Sequence, residues 1–268
     1  MARLSRTQPS AVDGIGSGEG NVIAAFAAAV PLAGTRVLEI GGMAGPGTVA
    51  GLGVSAWVSI DPRNIPARLG VVERVAGVGE RLPFADESFD HVFSCNAFEH
   101  IADVPATLAE CHRVLRERGR LWSRFGPVWS GPDGHHLEGV RWGGRDWIFW
   151  RDPIVPCWSH LLLSQAELAE VLATRVHWEL AELSAAAIFG PWTNKWTQAR
   201  LVRAFEASPL AVESIQYARG IDYLFPRFDW DHPYLDPLAE DPVGVLSQHL
   251  ADGTDIMVRD LTVRMRKR

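Results

Sequence analysis

Several absences narrow what this chain can be. It has only three cysteines, Cys95, Cys111 and Cys157, and their spacing matches neither a zinc site nor a disulfide framework. We therefore expect reduced thiols in a cytoplasmic protein. No apolar run reaches the roughly 20 residues needed to cross a bilayer, and the first 20 residues lack the apolar core of a secretory signal. These absences argue against a disulfide-stapled secreted domain and against a membrane protein.

An excess of basic residues is also missing. The formal net charge is −6 and the isoelectric point is about 5.8, so the composition does not point to a nucleic-acid partner. Hydrophobic residues make up 47% and charged residues 22% of the 268 positions, which is typical of a globular chain able to bury a sizeable core. We expect a small-molecule substrate, no nucleic acid and no membrane partner, with a homodimer left open.

The chain is organised around the stretch from Val37 to Thr48. It starts as an apolar, β-branched run typical of a buried parallel strand and then breaks into glycines at 41, 42, 45 and 47. Glycine permits a tight turn and lets a ligand approach the main chain, as at the start of a nucleotide-binding βαβ unit. Such turns also serve as plain connectors between a strand and a helix, so this stretch alone leaves both interpretations open.

A second apolar run, Ala56 to Ile60, ends in an acidic residue. Asp61 follows Glu39 by 22 residues, close to the spacing at which a carboxylate accepts hydrogen bonds from ribose hydroxyls. The alternative is that Asp61-Pro62 is only a turn.

Further motifs follow these two strands in a characteristic order. They are Leu82-Pro83-Phe84, Ser88-Phe89-Asp90, Glu99-His100, Arg113-Val114-Leu115 and Gly119-Arg120-Leu121. Together with the glycine turn and Asp61, this series resembles the class I S-adenosylmethionine-dependent methyltransferases, in particular the small-molecule branch related to ubiquinone and menaquinone biosynthesis. The match extends from about Val37 to Leu121 and is far more specific than any single motif.

Three departures from the family pattern stand out. Met43 occupies the position of the second motif glycine, and Val78 lies where the family often has an aspartate that reaches the adenine amino group. Glu117-Arg118 replaces the common Pro-Gly before Gly119. The first two departures fall in the expected cofactor site.

The alternation of strands and helices predicts one α/β domain with a doubly wound, Rossmann-like, mostly parallel seven-stranded sheet. The resemblance implies that the last strand is antiparallel. The predicted strands are 35–40, 56–60, 71–75, 91–94, 119–125, 177–183 and 255–266. We expect a mobile leader over residues 1–20, and lid insertions after strands five and six, at 126–160 and 184–252, that form a substrate cap.

The resemblance implies a cofactor site for S-adenosylmethionine at the carboxyl ends of the strands. The glycine turn would hold the methionine part, Asp61 the ribose, the loop after the third strand the adenine, and the loop after the fourth strand the sulfonium side. The residues expected to bind the cofactor are Glu39, Gly41, Gly42, Met43, Gly45, Asp61, Pro62, Gly79, Glu80, Arg81, Leu82, Asn96, Ala97 and Phe98.

A candidate for proton transfer lies directly after the fifth predicted strand, in the segment Asp133 to Glu138. Histidine titrates near neutral pH, so we assign His136, and then His135, as the general base for an oxygen or nitrogen nucleophile. The alternative is a loop whose histidines bind backbone groups. His135, His136 and Glu138 are also metal-ligand types, but adjacent histidines do not easily converge on one ion, and we predict no metal.

The resemblance implies methyl transfer to an oxygen or nitrogen atom of a small molecule, in a natural-product or cofactor pathway. All eleven tryptophans except Trp57 follow residue 120, which suits a cap for a bulky acceptor as well as an ordinary core. A second hypothesis is a methyltransferase fold that has lost catalysis and acts as a binding or partner subunit, as Met43 and Val78 would favour. A nicotinamide-dependent oxidoreductase is weaker, because the turn lacks a regular Gly-x-Gly-x-x-Gly.

Overall fold

A computed structural model describes residues 18–42, 44–219 and 232–268. The predictions made for Met43 and for residues 1–17 of the leader lie outside these ranges. The last two leader residues, Glu19 and Gly20, belong to a helix. In the described ranges, no helix is both long and apolar enough to span a bilayer.

The described residues form two compact units. The sheet unit comprises residues 18–126 without Met43, 201–217 and 261–268. The second unit comprises residues 127–200, 218–219 and 232–260. The predicted segments 126–160 and 184–252 contribute mainly to the second unit, and their role as a substrate cap stays a prediction.

One mixed, mostly parallel sheet of eight strands builds the sheet unit, in the order β3-β4-β2-β1-β5-β6-β10-β9. Its strands are β1 (Arg36–Ile40), β2 (Ala56–Asp61), β3 (Ala67–Leu69), β4 (Val72–Ala76), β5 (Phe89–Cys95), β6 (Leu115–Phe125), β9 (Ala211–Ala218) and β10 (Asp260–Arg266). Pairing is parallel from β4 through β2, β1 and β5 to β6 and antiparallel between β6 and β10. The Rossmann-like α/β fold is therefore confirmed. A separate two-stranded hairpin pairs β7 (Val140–Trp142) with β8 (Arg145–Trp147).

The helices are α1 (Glu19–Ala29), α2 (Pro46–Val49), α3 (Val104–Val114), α4 (Ser159–Leu162), α5 (Gln165–Ala173), α6 (Trp178–Phe189), α7 (Gln198–Glu206), α8 (Asp236–Glu240) and α9 (Pro242–Leu250). Local chemistry explains two of their starts. The carboxylate of Asp103 accepts a hydrogen bond from the backbone N–H of Ala106 at the start of α3. Ser164 and Glu167 form a reciprocal capping box on α5.

Aromatic rings fill the core between α1 and the neighbouring strands. Phe26 on α1 packs against Trp57 on β2, Phe93 on β5 and Trp122 on β6, with ring centroids 5.1 to 6.5 Å from Phe26. All four side chains are almost fully buried. This core surrounds the central strand β1 and gives its inward side chains a dry environment.

Two predictions for the C-terminal half of the sheet are wrong. The predicted strand 177–183 lies almost entirely in helix α6, because its buried residues recur at helical spacing (Leu180, Ser184, Ile188) and the segment is rich in the helix formers Ala, Glu and Leu. The sheet instead contains two strands that were not predicted, the short edge strand β3 and strand β9, which lies inside the segment predicted as the second insertion. The sheet thus has eight strands rather than seven.

The second unit has a core of its own. Helices α5 and α6 pack together through Leu168, Leu172 and Leu180, which are at most 1% exposed. Trp158 is buried in the same core, and its indole N–H donates to the carbonyl of Ile256 at 3.0 Å. At least part of the tryptophan enrichment after residue 120 therefore serves packing.

Candidate functional site

Two positions of the glycine turn after β1 leave no room for a side chain. Gly41 has φ +76°, and a Cβ there would lie 2.2 Å from the Cβ of Ala97. A Cβ on Gly42 would lie 2.1 Å from Oε1 of Glu39. Gly45, in contrast, has open space around its Cβ position. Glycine is therefore required at positions 41 and 42, because neighbouring atoms leave no space for a Cβ, but it is not required at position 45.

Hydrogen bonds fasten this turn to the strands on both sides. The backbone N–H of Gly41 donates to the carbonyl of Ile60 on β2 at 2.8 Å. The hydroxyl of Ser59 donates to the carbonyl of Gly42 at 2.6 Å, and that of Ser94 on β5 donates to Ile40 at 2.9 Å. The turn is held as a rigid connection between three neighbouring strands.

Glu39 is a fully buried carboxyl group beneath the turn. Its Oε2 accepts hydrogen bonds from the indole N–H of Trp57 at 2.9 Å and from the backbone N–H of Ala44 at 3.2 Å. Its Oε1 is buried without a hydrogen-bond partner among the described residues. Burial raises the pKa of Glu39 to about 7, and the hydrogen bond from Trp57 opposes that rise.

Asp61 ends β2 and carries an unpredicted partner. Its Oδ1 accepts hydrogen bonds from the backbone N–H of Arg63 at 2.8 Å and from Nε of the same residue at 3.0 Å. Its Oδ2 accepts one from Nη2 of Arg63 at 3.2 Å. The Asp61 side chain is 6% exposed and that of Arg63 is 64% exposed. Pro62, between them, is exposed.

The loop after β4 is attached to the start of helix α3. The carboxylate of Glu80 accepts hydrogen bonds from the backbone N–H groups of Ala102 and Asp103. The N–H of Leu82 donates to Oε2 of Glu110 at 2.7 Å. A Cβ on Gly79 would touch Thr107 at 3.0 Å. Arg81 is exposed, and a short bridge joins it to Val78.

The segment Asn96 to Phe98 follows β5. Asn96 is exposed with φ 49°, and its N–H donates to the carbonyl of Arg124 at 2.9 Å. Ala97 lies against the glycine turn. Phe98 is fully buried, and its ring packs on Phe125 and on a phenylalanine of α7 at 5.5 Å. Phe98 is thus part of the core.

Four neighbouring parallel strands, β4, β2, β1 and β5, therefore carry the predicted residues at their carboxyl ends within one compact unit. Ligands of open α/β sheets bind at this edge. Residues 45–123 match the family model described as a methyltransferase domain.

Over these residues the chain is similar to the class I S-adenosylmethionine-dependent methyltransferases.

Curated relatives match less than half of this chain. It is 36% identical over 125 residues to an uncharacterized methyltransferase of Mycolicibacterium vanbaalenii, covering 42% of this chain and 48% of the relative. It is 33% identical over 122 residues to a malonyl-[acyl-carrier protein] O-methyltransferase of Methylococcus capsulatus, covering 37% and 44%. A demethylmenaquinone methyltransferase of Mycobacterium sp. is 37% identical over 92 residues, covering 33% and 40%. The matches span less than half of each relative.

A solved structure shows the same fold. The S-adenosylmethionine-dependent methyltransferase of Mesorhizobium loti superposes with a TM-score of 0.50 at 16% identity, over 93% of this chain and 98% of that one. The match to the methyltransferase domain implies S-adenosylmethionine as the cofactor. The individual cofactor-binding residues stay predictions.

The two candidate bases lie in the second unit, whereas the described residues predicted to bind the cofactor lie in the sheet unit. His135 is 2% exposed, and its Nδ1 accepts a hydrogen bond from the N–H of Leu137 at 3.2 Å. His136 is 7% exposed with φ 47°, and its Nε2 lies 3.7 Å from Oε2 of Glu138. Its ring is 4.7 Å from that of Phe149. Their catalytic role stays a prediction.

The loop that carries these histidines is packed rather than open. Asp133 is fully buried and forms an ion pair with Nε of Arg259 at 3.1 Å. A Cβ on Gly134 would lie 2.3 Å from two backbone carbonyl oxygens. A third buried histidine, His160, contacts the carbonyl of Trp129 through Nε2 at 2.7 Å, and burial lowers its pKa to about 4. His160 was not singled out from the sequence.

Two residues that contact the predicted cofactor site were also missed in the sequence. Trp57 donates to Glu39 because residues 37 and 57 are register partners on adjacent parallel strands. This contact could be found from the sequence only by predicting the register between β1 and β2. Arg63 follows Asp61 by two residues, a spacing that often gives an aspartate a local backbone partner and could have drawn attention to it.

Proposed function

We propose that this protein transfers a methyl group from S-adenosylmethionine to an oxygen or nitrogen atom of a small molecule in a natural-product or cofactor pathway. The main support is the convergence of the Gly41–Gly42 turn, Asp61 and two loops at the carboxyl ends of four adjacent parallel strands. Glycines that exclude a Cβ are the usual means of bringing backbone close to a nucleoside cofactor.

The residues around the turn fit this cofactor chemically. A buried carboxylate oxygen without a partner is costly, and Oε1 of Glu39 has none among the described residues. A cationic amino group, as on the methionine part of the cofactor, is the kind of donor that a carboxylate prefers. In this proposal Glu39, Gly41, Gly42, Met43 and Gly45 hold the methionine part.

The remaining parts of the cofactor are assigned to the neighbouring strand ends. Asp61 and Pro62 hold the ribose, and the loop Gly79-Glu80-Arg81-Leu82 flanks the adenine. The segment Asn96-Ala97-Phe98 lies toward the sulfonium side, with Phe98 supporting it from the core.

S-adenosylmethionine supplies a methyl group activated by a positively charged sulfur. The protein must then align the acceptor and receive its proton. We assign proton acceptance to His136, with His135 as the second candidate, because a neutral imidazole can take a proton near pH 7. Because His135 uses Nδ1 as an acceptor from Leu137, its Nε2 carries the hydrogen in the neutral form, which makes His136 the stronger candidate.

The relatives support a small acceptor without selecting one. Their names refer to a malonyl group on a carrier protein and to demethylmenaquinone. Because the matches cover less than half of each relative, they do not reach all of the parts that would contact the acceptor.

A second candidate is a binding or partner subunit that has kept the fold and lost methyl transfer. The observation that favours it is the contact of Arg63 with both carboxylate oxygens of Asp61, together with an exposed Val78 in place of an acidic residue. This candidate predicts weak or absent cofactor binding.

Calorimetric titration with S-adenosylhomocysteine separates the two, with NAD as the control ligand. Micromolar affinity for the former and none for NAD supports the enzyme, and an acceptor screen with radiolabelled S-adenosylmethionine then tests transfer. A folded protein that binds neither ligand contradicts the enzyme proposal. Sedimentation of the same sample tests whether the protein forms a homodimer.

A further inference from the structure

We propose that Arg63 is a displaceable cover on the ribose subsite, so that cofactor binding requires its guanidinium to leave Asp61. This inference rests on the proposed function, because it concerns the same cofactor site. It assigns to Arg63 a role in which its contact with Asp61 opposes binding of the cofactor.

Arg63 occupies most of the positions at which the Asp61 carboxylate can accept a hydrogen bond. A carboxylate offers about four acceptor positions, two on each oxygen. The backbone N–H and Nε of Arg63 occupy both positions on Oδ1, and Nη2 occupies one on Oδ2. One position is left, whereas the two hydroxyl groups of a ribose would need two.

The three contacts differ in how easily they can be exchanged. The N–H bond from Arg63 closes a local turn, and the neighbouring Asn64 anchors this loop through its amide N–H bonds to the carbonyls of Ser59 and Val75. The guanidinium contacts depend only on a long side chain that is 64% exposed. Displacing the guanidinium frees one position on each oxygen, which gives the pair of acceptors that a ribose requires.

The pattern of exposure indicates where the cover lies. Asp61 is 6% exposed and Arg63 is 64% exposed, so the guanidinium lies on the solvent side of the carboxylate. A ligand that approaches Asp61 from solvent meets the guanidinium first. Exposed ion pairs of this kind are weak, so the cover reduces affinity without abolishing it.

The test is a mutant cycle read by calorimetry with S-adenosylhomocysteine. We expect Arg63→Ala to tighten binding by about two- to fivefold, the range that corresponds to losing an exposed ion pair. Asp61→Asn should weaken binding at least tenfold, and adding Arg63→Ala to it should change nothing further. Arg68→Ala is the matched control, since Arg68 is an exposed arginine on strand β3 of the same unit.

The outcomes are distinguishable. If Arg63→Ala binds S-adenosylhomocysteine more weakly than the native protein or equally well, the proposed cover is refuted. It is also refuted if the gain in affinity persists in the Asp61→Asn background, or if Arg68→Ala shows the same gain. If no variant binds while circular dichroism shows that all are folded, the cofactor site itself is refuted and the cover with it. If Arg63→Ala binds S-adenosylhomocysteine and the other proteins do not, the result gives the strongest support for the cover.

Discussion

Replacing Glu39 with glutamine tests the electrostatics of the glycine turn directly. Burial raises the pKa of Glu39 from its ordinary value of 4.5 to about 7. The folded protein thus holds this proton more tightly than the unfolded chain. The stability contribution is fully present below pH 4.5 and is lost as the pH rises to about 7.

The magnitude follows from the gap between these two pKa values. Each pH unit of the gap corresponds to about 1.4 kcal/mol, so ionisation of Glu39 lowers the free energy of unfolding by about 3 kcal/mol above pH 7. Glutamine cannot ionise, and its amide oxygen can still accept from Trp57 and Ala44. We therefore expect the stability of Glu39→Gln relative to the native protein to increase by about 2–3 kcal/mol between pH 5 and pH 8.

Urea unfolding of both proteins at several pH values measures this difference. Glu110→Gln is a control of opposite sign, because the hydrogen bond from Arg113 lowers the pKa of Glu110. That variant should lose stability relative to the native protein as the pH rises through the acidic range. A difference between Glu39→Gln and the native protein that stays constant from pH 5 to pH 8 would refute the reasoning.

Further predictions concern the predicted binding and catalytic residues. Gly42→Ala should lower stability by about 1–3 kcal/mol and weaken S-adenosylhomocysteine binding, because its Cβ would collide with the carboxylate of Glu39. Gly45→Ala, which has open space, should leave stability unchanged in the same thermal assay. Asp61→Ala should reduce cofactor affinity by about ten- to a hundredfold, and unchanged calorimetric affinity would remove it from the site. His136→Asn should reduce kcat by about a hundredfold or more at constant cofactor affinity. Asparagine suits this position because it tolerates the left-handed backbone conformation of residue 136. An unchanged kcat would exclude His136 as the base.

The N-terminal part of the fold was predictable because its signals are local. Strands β1, β2 and β5 are short, mostly buried segments rich in apolar residues, as expected of parallel strands buried on both faces. Strand β2 ends in Asp61, and Gly41 and Asn96 directly follow β1 and β5, which marks the turns. Helix α3 begins at an aspartate cap that can be read from the sequence.

The C-terminal part was not predictable to the same degree. The segment 177–183 is short and apolar enough for either a strand or a helix, and it is helical because Leu180 and Ile188 pack in the core of the second unit. Strand β9 was missed because it lies more than 80 residues after β6, between two helices, and only its pairing in the sheet makes it a strand.

The sequence by itself determined the resemblance to methyltransferases, the glycine turn and the acidic residue after β2, because each depends on residue types at short spacing. Only the tertiary structure decided what those residues contact. The hydrogen bond from the Trp57 indole to Glu39 depends on the register between two strands, and the contact of Arg63 with Asp61 depends on the path of a loop. Burial, which raises the pKa of Glu39, is a property of the assembled core that residue spacing cannot reveal.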